Sequence, residues 1–531
     1  MLYDFEKLKD DSILNVDVCI VGSGVAGLLI AKEFIDSDLN ILVLEGGGKK
    51  DELRSQKLYS SNVIGMEHDG VHNGRFRVYG GSSTRWGGQL MTFRSDDFKK
   101  KSYLPYSGWP ISRNDIENYY PRAEAVMQVN DLSYEKDAWS DFNVTPIQFE
   151  DKKIEYRFSK WANFKNRNLA KYIGPMCEKS NNVNILLHAN ATEILLNDLG
   201  DAVKSVKIKS YNGKVSEVTA KEFILCAGTI DTPRLMLASK TKSQNGVGNE
   251  HDQVGRYFQD HISYRVARLK PKKSNLFSST FNPFYRNSTL HSCKLDMNAA
   301  IQDELKCPHV MGHIVFDYSE ESGFYEFRKV LRAVQSKKNP LPSPMGAWRM
   351  LRFADDFLRM FIGALVIGRK LAPKSSKSYL QLETEQVPTP DSRVTLSDDK
   401  DELGMPKVNL DWKLSGEEKQ AMKEYVELFK AEWNRLELGE ANWDLSKDLY
   451  ESGDAWLDEC RDTFHQTGTT RMSKNPEDGV VNENLKVHGI SNLYIGSCSV
   501  FPTSGTANPT LTMMALCVRL ADQMKSKYIP N

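Results

Sequence analysis

The sequence predicts an α/β fold with a Rossmann-like dinucleotide-binding domain that is discontinuous in the chain. Three observations lead to this prediction: a strand, glycine turn and helix begin at Val16; a strand-rich stretch with a buried last strand ends near Ala227; and a strand followed by a helix occupies 492–524. Elements of one type at both ends and in the middle indicate a second domain inserted between pieces of the first. The length of 531 residues fits two large domains.

The first element reads VDVCIVGSGVAGLLIAKEFI and continues to Glu45. Gly22, Gly24 and Gly27 form G-x-G-x-x-G, in which the glycines permit a tight turn, close approach of a pyrophosphate, and packing of helix on strand. The N-terminus of the following helix favours phosphate. Glu45 ends the second strand and can accept hydrogen bonds from a ribose diol, which disfavours NADP. The motif alone does not separate NAD from FAD.

Other elements follow from local patterns. Ser112 is a plausible N-cap for a helix over 112–127. Residues 183–224 alternate with a period near two, and Asn212-Gly213 indicates a hairpin turn. A buried strand is expected at 223–227, followed by a helix that begins with Pro233 in its first turn. At the end of the chain, a strand at 492–495 and a helix from Leu511 are predicted.

Composition excludes several classes of protein. Lys+Arg and Asp+Glu both number 70, so the net charge is zero, and a nucleic-acid partner is not expected. The N-terminal residues are charged and lack the apolar core of a signal peptide. The eight cysteines are scattered without a CxxC pair, which is typical of reduced thiols. We therefore expect a cytoplasmic protein, and we predict no metal site.

Several motifs, spread in order from residue 16 to 524, carry a resemblance to the glucose–methanol–choline (GMC) family of flavin oxidoreductases. Besides the glycine turn they are RVYGGSSTRWGGQL (77–90), CAGTIDTPRLML (226–237), VGRYFQDH (254–261), EQVPTPDSRVTL (385–396), HQTGTTRM (465–472) and the tail from 489 to 524. The RWGG and HQTGTTRM versions resemble the sugar- and polyol-oxidising branch, which includes pyranose oxidase and related bacterial dehydrogenases.

The resemblance implies an FAD-binding domain and a substrate domain built on a mostly antiparallel sheet. We assign 1–95, 183–265 and 455–531 to the first domain and 96–182 and 266–454 to the second. The implied chemistry is oxidation of an alcohol: a base takes the hydroxyl proton and hydride passes to flavin N5. The implied partners are a small alcohol or sugar and an electron acceptor, either oxygen or a quinone.

The resemblance also implies which residues act on the substrate. His465 matches the general base, and a histidine suits proton transfer near neutral pH. Asn508 matches the second position of the family's catalytic pair; it cannot act as a base but can orient the substrate oxygen, and it can alternatively cap the helix that follows it. His261 and His488 are interpreted as structural.

The remaining predicted contacts are to the cofactor. They comprise the loop after the turn, one residue of the second adenine-side strand, the loop after the last strand and the entry to the final helix: Gly80, Gly81, Ser82, Ser83, Ala191, Gly496, Ser497, Asn508, Pro509 and Thr510. Pyranose oxidases tether flavin through a His between Thr and Trp in the first of these loops. Here Arg85 stands between Thr84 and Trp86, so we predict non-covalent FAD.

A basic amphipathic segment at 325–374 interleaves Arg and Lys with large apolar residues. It predicts either contact with an anionic membrane surface or a lid or subunit contact. The function also has alternatives: an FAD-containing lyase of the same fold, a non-catalytic flavin-binding module, or oxidation of a non-sugar alcohol or sterol.

Overall fold

The computed structural model describes residues 1–9, 11–317, 325–327, 329–330, 341–352, 354–373 and 376–528. Its fold is a mixture of α and β structure in three sheets, as the sequence predicts. The α-helices longer than one turn are Val25–Glu33, Leu53–Lys57, Tyr120–Met127, Gly174–Lys179, Gly228–Ala238, Ser274–Phe281, Ala299–Leu305, Pro344–Arg352, Ala354–Ile362, Glu417–Arg435 and Thr510–Tyr528. Four-residue helices are Gly70–Asn73, Trp139–Phe142, Leu169–Tyr172 and Lys447–Tyr450.

The first sheet contains the strands β1 (Leu2–Asp4), β2 (Asn15–Val21), β3 (Ile41–Leu44), β7 (Val183–Leu187), β8 (Asn190–Leu196), β9 (Val203–Lys209), β10 (Val215–Leu225) and β20 (Leu493–Ile495). Their order across the sheet is β1-β7-β3-β2-β10-β9-β8, with β20 beside β10. The pairs from β1 to β10, and β10 with β20, are parallel, whereas β9 pairs antiparallel with both β8 and β10. The sheet therefore joins segments from the start, middle and end of the chain.

The second sheet contains the strands β5 (Gln89–Leu90), β6 (Ile154–Trp161), β11 (Ile262–Pro271), β12 (Phe284–Arg286), β13 (Thr289–Met297), β14 (Val310–Asp317), β15 (Lys377–Thr384), β18 (Gly439–Asn442) and β19 (Arg461–Asp462). Their order is β18-β11-β15-β14-β13-β6-β5, with β12 beside β13 and β19 beside β11. All of these pairs are antiparallel. The small third sheet contains β4 (Ser61–Val63), β16 (Arg393–Lys400) and β17 (Pro406–Asp411). The expected mostly antiparallel sheet is present.

One predicted helix start is wrong, and another begins a shorter helical turn than predicted. The helix around Pro233 begins at Gly228, so the proline lies in its interior. Pro233 has no N–H for the carbonyl of Thr229 four residues earlier, and the Thr469 hydroxyl donates to that carbonyl instead, at 2.5 Å. Ser112 is an N-cap as predicted, and its N–H and hydroxyl donate to the Asp115 carboxylate at 2.7 and 2.8 Å, but the turn that it caps, Arg113–Asp115, is 3₁₀. The α-helix begins only at Tyr120, with proline in its first turn.

Two buried clusters stabilise the sheets. One surrounds the parallel strands and includes the helices Val25–Glu33 and Thr510–Tyr528, and the other lies between the antiparallel sheet and the helix Glu417–Arg435. The last strand, β20, pairs with the C-terminal half of β10, next to β2. This pairing places the entry to the final helix beside the N-terminal glycine turn.

Candidate active site

The glycine turn connects β2 to the helix Val25–Glu33. Gly22 has φ +107°, and a Cβ there would lie 2.6 Å from the Cys226 carbonyl oxygen; a Cβ on Gly27 would lie 1.9 Å from the Gly22 carbonyl oxygen. Both positions are glycine because the fold brings backbone against them. Gly24 differs, since a Cβ there would meet nothing within 4 Å. The space beside Gly24 is therefore open to a ligand at the N-terminus of the helix.

Glu45 follows β3 and is 6% exposed. Its carboxylate accepts hydrogen bonds from the Ser23 hydroxyl at 2.6 Å and from the Gly47 N–H at 2.7 Å. Burial raises the pKa of Glu45, although hydrogen bonds from Ser23 and Gly47 act in the opposite direction. The acid is thus fixed against the glycine turn.

The loop of Gly80–Ser83 crosses over this turn. The Gly80 N–H donates to the Ser23 hydroxyl at 3.2 Å, and a Cβ on Gly81 would lie 3.0 Å from the Gly24 Cα. The Ser83 hydroxyl donates to the Gly80 carbonyl at 2.6 Å. Gly80 and Gly81 have φ of +94° and +53°, which glycine adopts readily. Small residues therefore keep this loop close to the turn.

A cavity of about 740 Å³ runs along these elements. Most of the predicted site residues line it: Gly22, Gly24, Glu45, Gly81, Ser82, Ser83, Ala191, His465, Gly496, Ser497, Asn508 and Thr510. Gly27, Gly80 and Pro509 are not part of the lining. The volume is in the range of cofactor pockets. Together with the open space at Gly24, it fits a dinucleotide.

Two arginines of the segment 77–90 also line the cavity, and the sequence singled out only Arg85. Arg77 donates through Nη2 to Asn190 Oδ1 at 2.9 Å, and its Nε is buried without a hydrogen-bond partner. Arg85 lies over the Phe76 ring and pairs with Asp51 at the exposed rim. Arg77 lies within the motif RVYGGSS. Its side chain is held at the site by Asn190 of β8, and the sequence does not indicate this contact.

His465 and Asn508 are brought together, although 43 positions separate them. Asn508 Nδ2 lies 2.9 Å from His465 Nε2. Asn508 Oδ1 is buried without a partner, so the side chain does not cap the final helix, and the capping alternative is wrong. An unpartnered amide oxygen next to an imidazole nitrogen can receive a substrate hydroxyl.

The tautomer of His465 follows from the groups around Nδ1. His261 Nδ1 lies 3.0 Å away, and because His261 Nε2 must donate to the Ser504 carbonyl, the facing nitrogen of His261 carries a lone pair. The Thr463 hydroxyl lies 2.8 Å from His465 Nδ1. That hydroxyl donates to the Asp260 carboxylate, which can only accept, so its lone pair also faces His465. Both neighbours require Nδ1–H and leave the lone pair on Nε2, toward Asn508.

The interpretation of His261 as merely structural is therefore incomplete. It is fully buried, and its ring packs edge-on against His465 at 4.9 Å between centroids. The motif that contains His261, VGRYFQDH, does not reveal this contact, because 204 positions separate the two histidines. His488 instead contacts Ser473 at 3.2 Å and does not line the cavity.

Asp260 fixes the loop that carries His465. Its Oδ1 accepts from the His465 N–H at 2.9 Å and from the Thr463 N–H at 3.3 Å, and its Oδ2 lies 3.1 Å from His68 Nε2. Burial acts to raise the pKa of Asp260, but the His68 hydrogen bond and nearby histidines outweigh it, and the pKa is lowered. The Val71 N–H donates to His68 Nδ1, so His68 donates to Asp260 through Nε2.

Burial, followed by the like charge of His261, lowers the pKa of His465 to about 4. The imidazole is therefore neutral at ordinary pH, and Nε2 is available to accept a proton. Asp260 and Glu383 act in the opposite direction.

A second polar group faces the cavity from the antiparallel sheet. Glu383 of β15 lines the cavity and lies 3.6 Å from Lys294 Nζ and 3.8 Å from His313 Nδ1. Burial raises the pKa of Glu383, but Lys294 and His313 outweigh it and hold the pKa at about 2. This ionised carboxylate stands on the side of the cavity that the substrate domain was predicted to supply.

Comparison with known proteins supports an enzyme of one family. Family profiles described as GMC oxidoreductase match residues 151–263 and 388–517. The fructose dehydrogenase large subunit of Gluconobacter japonicus is 23% identical, over 96% of this chain and 97% of the relative. The paromamine 6'-oxidase of Streptomyces fradiae is 22% identical, over 95% and 90%. A crystal structure of formate oxidase has the same fold, with a TM-score of 0.59 at 17% identity, over 97% of this chain and 98% of that one.

Proposed function

Because the chain belongs to the GMC oxidoreductases, a family of FAD-dependent enzymes, we propose that it oxidises an alcohol group of a sugar, glycoside or polyol. One observation carries the proposal: His465 Nε2, facing Asn508, lines the same cavity as the glycine turn and Glu45. A base and a dinucleotide site in one cavity are the parts that alcohol oxidation requires.

The residues near His465 can take the hydroxyl proton after one hydrogen bond is exchanged. A substrate hydroxyl takes the place of the Asn508 Nδ2–H at His465 Nε2 and donates to it, and the released Asn508 N–H then donates to the hydroxyl oxygen and orients it. Once protonated, His465 still donates through Nδ1 to Thr463 and His261, so the cation forms within existing hydrogen bonds. Bound FAD supplies the acceptor for the hydride from the carbon atom.

We assign the cofactor contacts as follows. The turn at Gly24 and the helix N-terminus behind it hold the pyrophosphate, and Glu45 holds the ribose. The loop Gly80–Ser83, with the entry to the final helix at Thr510, holds the flavin end. The glycines of the turn and of the loop let the cofactor approach the backbone. The buried Nε of Arg77, which has no hydrogen-bond partner, is a further donor for the cofactor.

FAD is proposed to be non-covalent, because Arg85 stands at the position used for tethering in pyranose oxidases. FAD modification is the subject of two similar structures, both variants of Aspergillus oryzae formate oxidase, so a direct test is chosen here. Acid precipitation should leave all flavin in the supernatant. Flavin that stays with the precipitated protein would contradict the assignment.

The substrate is proposed to be polyhydroxylated because the substrate side of the cavity is polar. The Glu383 carboxylate, with Lys294 behind it, offers acceptors for hydroxyl groups of a sugar or polyol. Two relatives are named for fructose and for paromamine. A Glu383→Gln variant should raise KM for the preferred substrate with a smaller effect on kcat, since Glu383 is assigned to binding rather than to proton transfer.

The function is tested by anaerobic mixing of the FAD-loaded enzyme with a panel of sugars, glycosides, polyols and simple alcohols. Loss of flavin absorbance with a polyhydroxylated compound supports the proposal. Subsequent reoxidation by air or by a quinone separates an oxidase from a dehydrogenase. A cyanohydrin added to the panel tests the lyase: its cleavage to a carbonyl compound and cyanide while the flavin stays oxidised would instead identify that activity.

A further inference from the structure

A long connection leaves the substrate-side sheet between two neighbouring strands. β14 and β15 are antiparallel and pair to their ends, at Asp317 and Lys377. Two residues suffice to join such strands, so the segment 318–376 is not needed to close the sheet. Its described part contains the helices Pro344–Arg352 and Ala354–Ile362 and a π-helical turn at Gly363–Ile367. These helices are therefore not required for joining β14 to β15.

The described part of this segment has its apolar side outward. Its acidic residues Asp356 and Glu326 are buried, at 5% and 8% exposure. In contrast, Leu351 of the first helix and Val366 of the π-helical turn are 77% and 78% exposed. Large apolar side chains that are more than half exposed follow each other along the segment: Leu341, Met345, Trp348, Leu351, Leu358, Phe361, Leu365, Val366 and Ile367. Elsewhere in the described chain such residues are scattered. A contiguous apolar surface of this kind marks a site of contact.

The base of the segment is fixed to the body of the protein. Arg369 donates to the carbonyls of Ser278, Ser279 and Asn282, and its guanidinium lies 3.6 Å from the centre of the Phe284 ring. The C-terminal end of the segment is therefore fixed to the helix Ser274–Phe281 and to β12.

Among the described side chains, the charges that border this face are basic. In 344–370 Arg352 and Lys370 are exposed, Arg349 and Arg359 are partly exposed, and Arg349 pairs with the buried Glu326 at 3.6 Å. Arg352 also lies over the Trp348 ring, at 5.2 Å. Basic side chains and tryptophan at the border of an apolar helical face are typical of helices that lie in a membrane interface.

We propose that the face formed by Trp348, Leu351, Leu358, Phe361 and Leu365, which we name the docking face, binds the surface of an anionic lipid bilayer. The contact is peripheral, since no helix among the described residues is long and apolar enough to span a bilayer. A second copy of the chain fits less well, because two basic borders would face each other.

Flotation of the full FAD-loaded chain with lipid vesicles tests the docking face. The enzyme should float with vesicles that contain phosphatidylglycerol and stay unbound with pure phosphatidylcholine. The triple variant Leu358→Glu/Phe361→Glu/Leu365→Glu should reduce the bound fraction at least about tenfold, because each change removes apolar area and adds repulsion. Leu199→Glu is the matched control, since Leu199 is 84% exposed elsewhere on the surface, and it should float like the unaltered enzyme.

Charge is tested separately with Arg352→Glu/Arg359→Glu, against Lys7→Glu at a distant exposed site. The double variant should lose binding, the control should keep it, and added salt should weaken binding of the unaltered enzyme. The proposal is overturned if the unaltered enzyme stays unbound with anionic vesicles, or if the triple variant floats equally well. Sedimentation that shows a dimer of the enzyme and a monomer of the triple variant would assign the face to self-association instead.

Discussion

The tautomer of His465 provides the sharpest prediction, through its neighbour His261. Replacing His261 with Leu removes one of the two acceptors of the His465 Nδ1–H, the other being the Thr463 hydroxyl. Replacing His261 with Asn keeps an acceptor, because the amide oxygen takes the position of Nδ1. Each substitution removes the His261 Nε2–H that donates to the Ser504 carbonyl, so the Asn variant is a matched control for that structural loss.

The magnitude follows from the hydrogen bonds involved. One neutral hydrogen bond contributes about 0.5–1.5 kcal/mol, which corresponds to about a two- to tenfold lower rate of flavin reduction in His261→Leu. In the double variant His261→Leu/Thr463→Val both acceptors are lost. A buried Nδ1–H without a partner costs about 1–3 kcal/mol, so the proton moves to Nε2 and the base is blocked. We expect a loss of about a hundredfold there.

The pH dependence separates this effect from a general structural one. His465 has a pKa of about 4, and only its neutral form accepts a proton, so the rate should fall as the pH drops through about 4. A protonated His261, with its Nδ1 3.0 Å from His465 Nδ1, would repel the His465 cation and contributes to that low value, so removing His261 raises the pKa of His465. In His261→Asn the acid limb should therefore move to higher pH while the rate on the plateau is kept.

The assay is stopped-flow reduction of the flavin under anaerobic conditions across pH, with flavin content and melting temperature as controls for folding. Equal plateau rates in His261→Leu and His261→Asn would refute the assignment of the acceptor. An acid limb that stays in place, or moves to lower pH, would refute the electrostatic coupling between the two histidines.

Four further substitutions test the cofactor site and the orientation of the substrate oxygen. Gly24→Ala should leave the melting temperature of the apoprotein unchanged but weaken FAD binding at least about tenfold in fluorescence titration, since its Cβ meets only the open cavity. Gly22→Ala should instead lower the melting temperature, because it is strained at positive φ and meets the Cys226 carbonyl. Glu45→Gln should raise the dissociation constant of FAD about tenfold or more through loss of a charge-assisted hydrogen bond, with an unchanged rate of flavin reduction at saturation. Asn508→Ala should slow flavin reduction about tenfold or more while FAD is retained, and a normal rate would contradict its role in orienting the substrate oxygen.

The features that the sequence predicts well are encoded by neighbouring residues. The turn at Gly22 and the strand before it need only a short stretch of chain, and the same is true of the hairpin turn at Gly213, which has φ +87°. The helix around Pro233 was misplaced because its extra first turn depends on a hydroxyl from Thr469, which is 236 positions later. A proline suggests a helix start only when no distant donor replaces the missing N–H.

The candidate site likewise combines features that the sequence indicates with contacts that only the fold brings together. His465 and Asn508 were identified through resemblance, but their contact depends on how the final helix lies beside the loop of His465. The contact of His261 with His465 and the position of Glu383 in the cavity were not predicted, because they arise from strands and loops that are adjacent in space only. No periodicity in VGRYFQDH indicates that the histidine faces another imidazole.

The central claim is that His465 takes the proton from an alcohol in an FAD-dependent oxidation. Anaerobic single-turnover reduction of the flavin by the preferred substrate, measured in the unaltered enzyme and in His465→Ala with equal FAD content, tests it most directly. The account predicts rapid loss of flavin absorbance in the unaltered enzyme and a rate at least about a hundredfold lower in the variant, since general bases contribute about 10²–10⁴-fold. A flavin that stays oxidised with every alcohol, or equal rates in the two proteins, would contradict it.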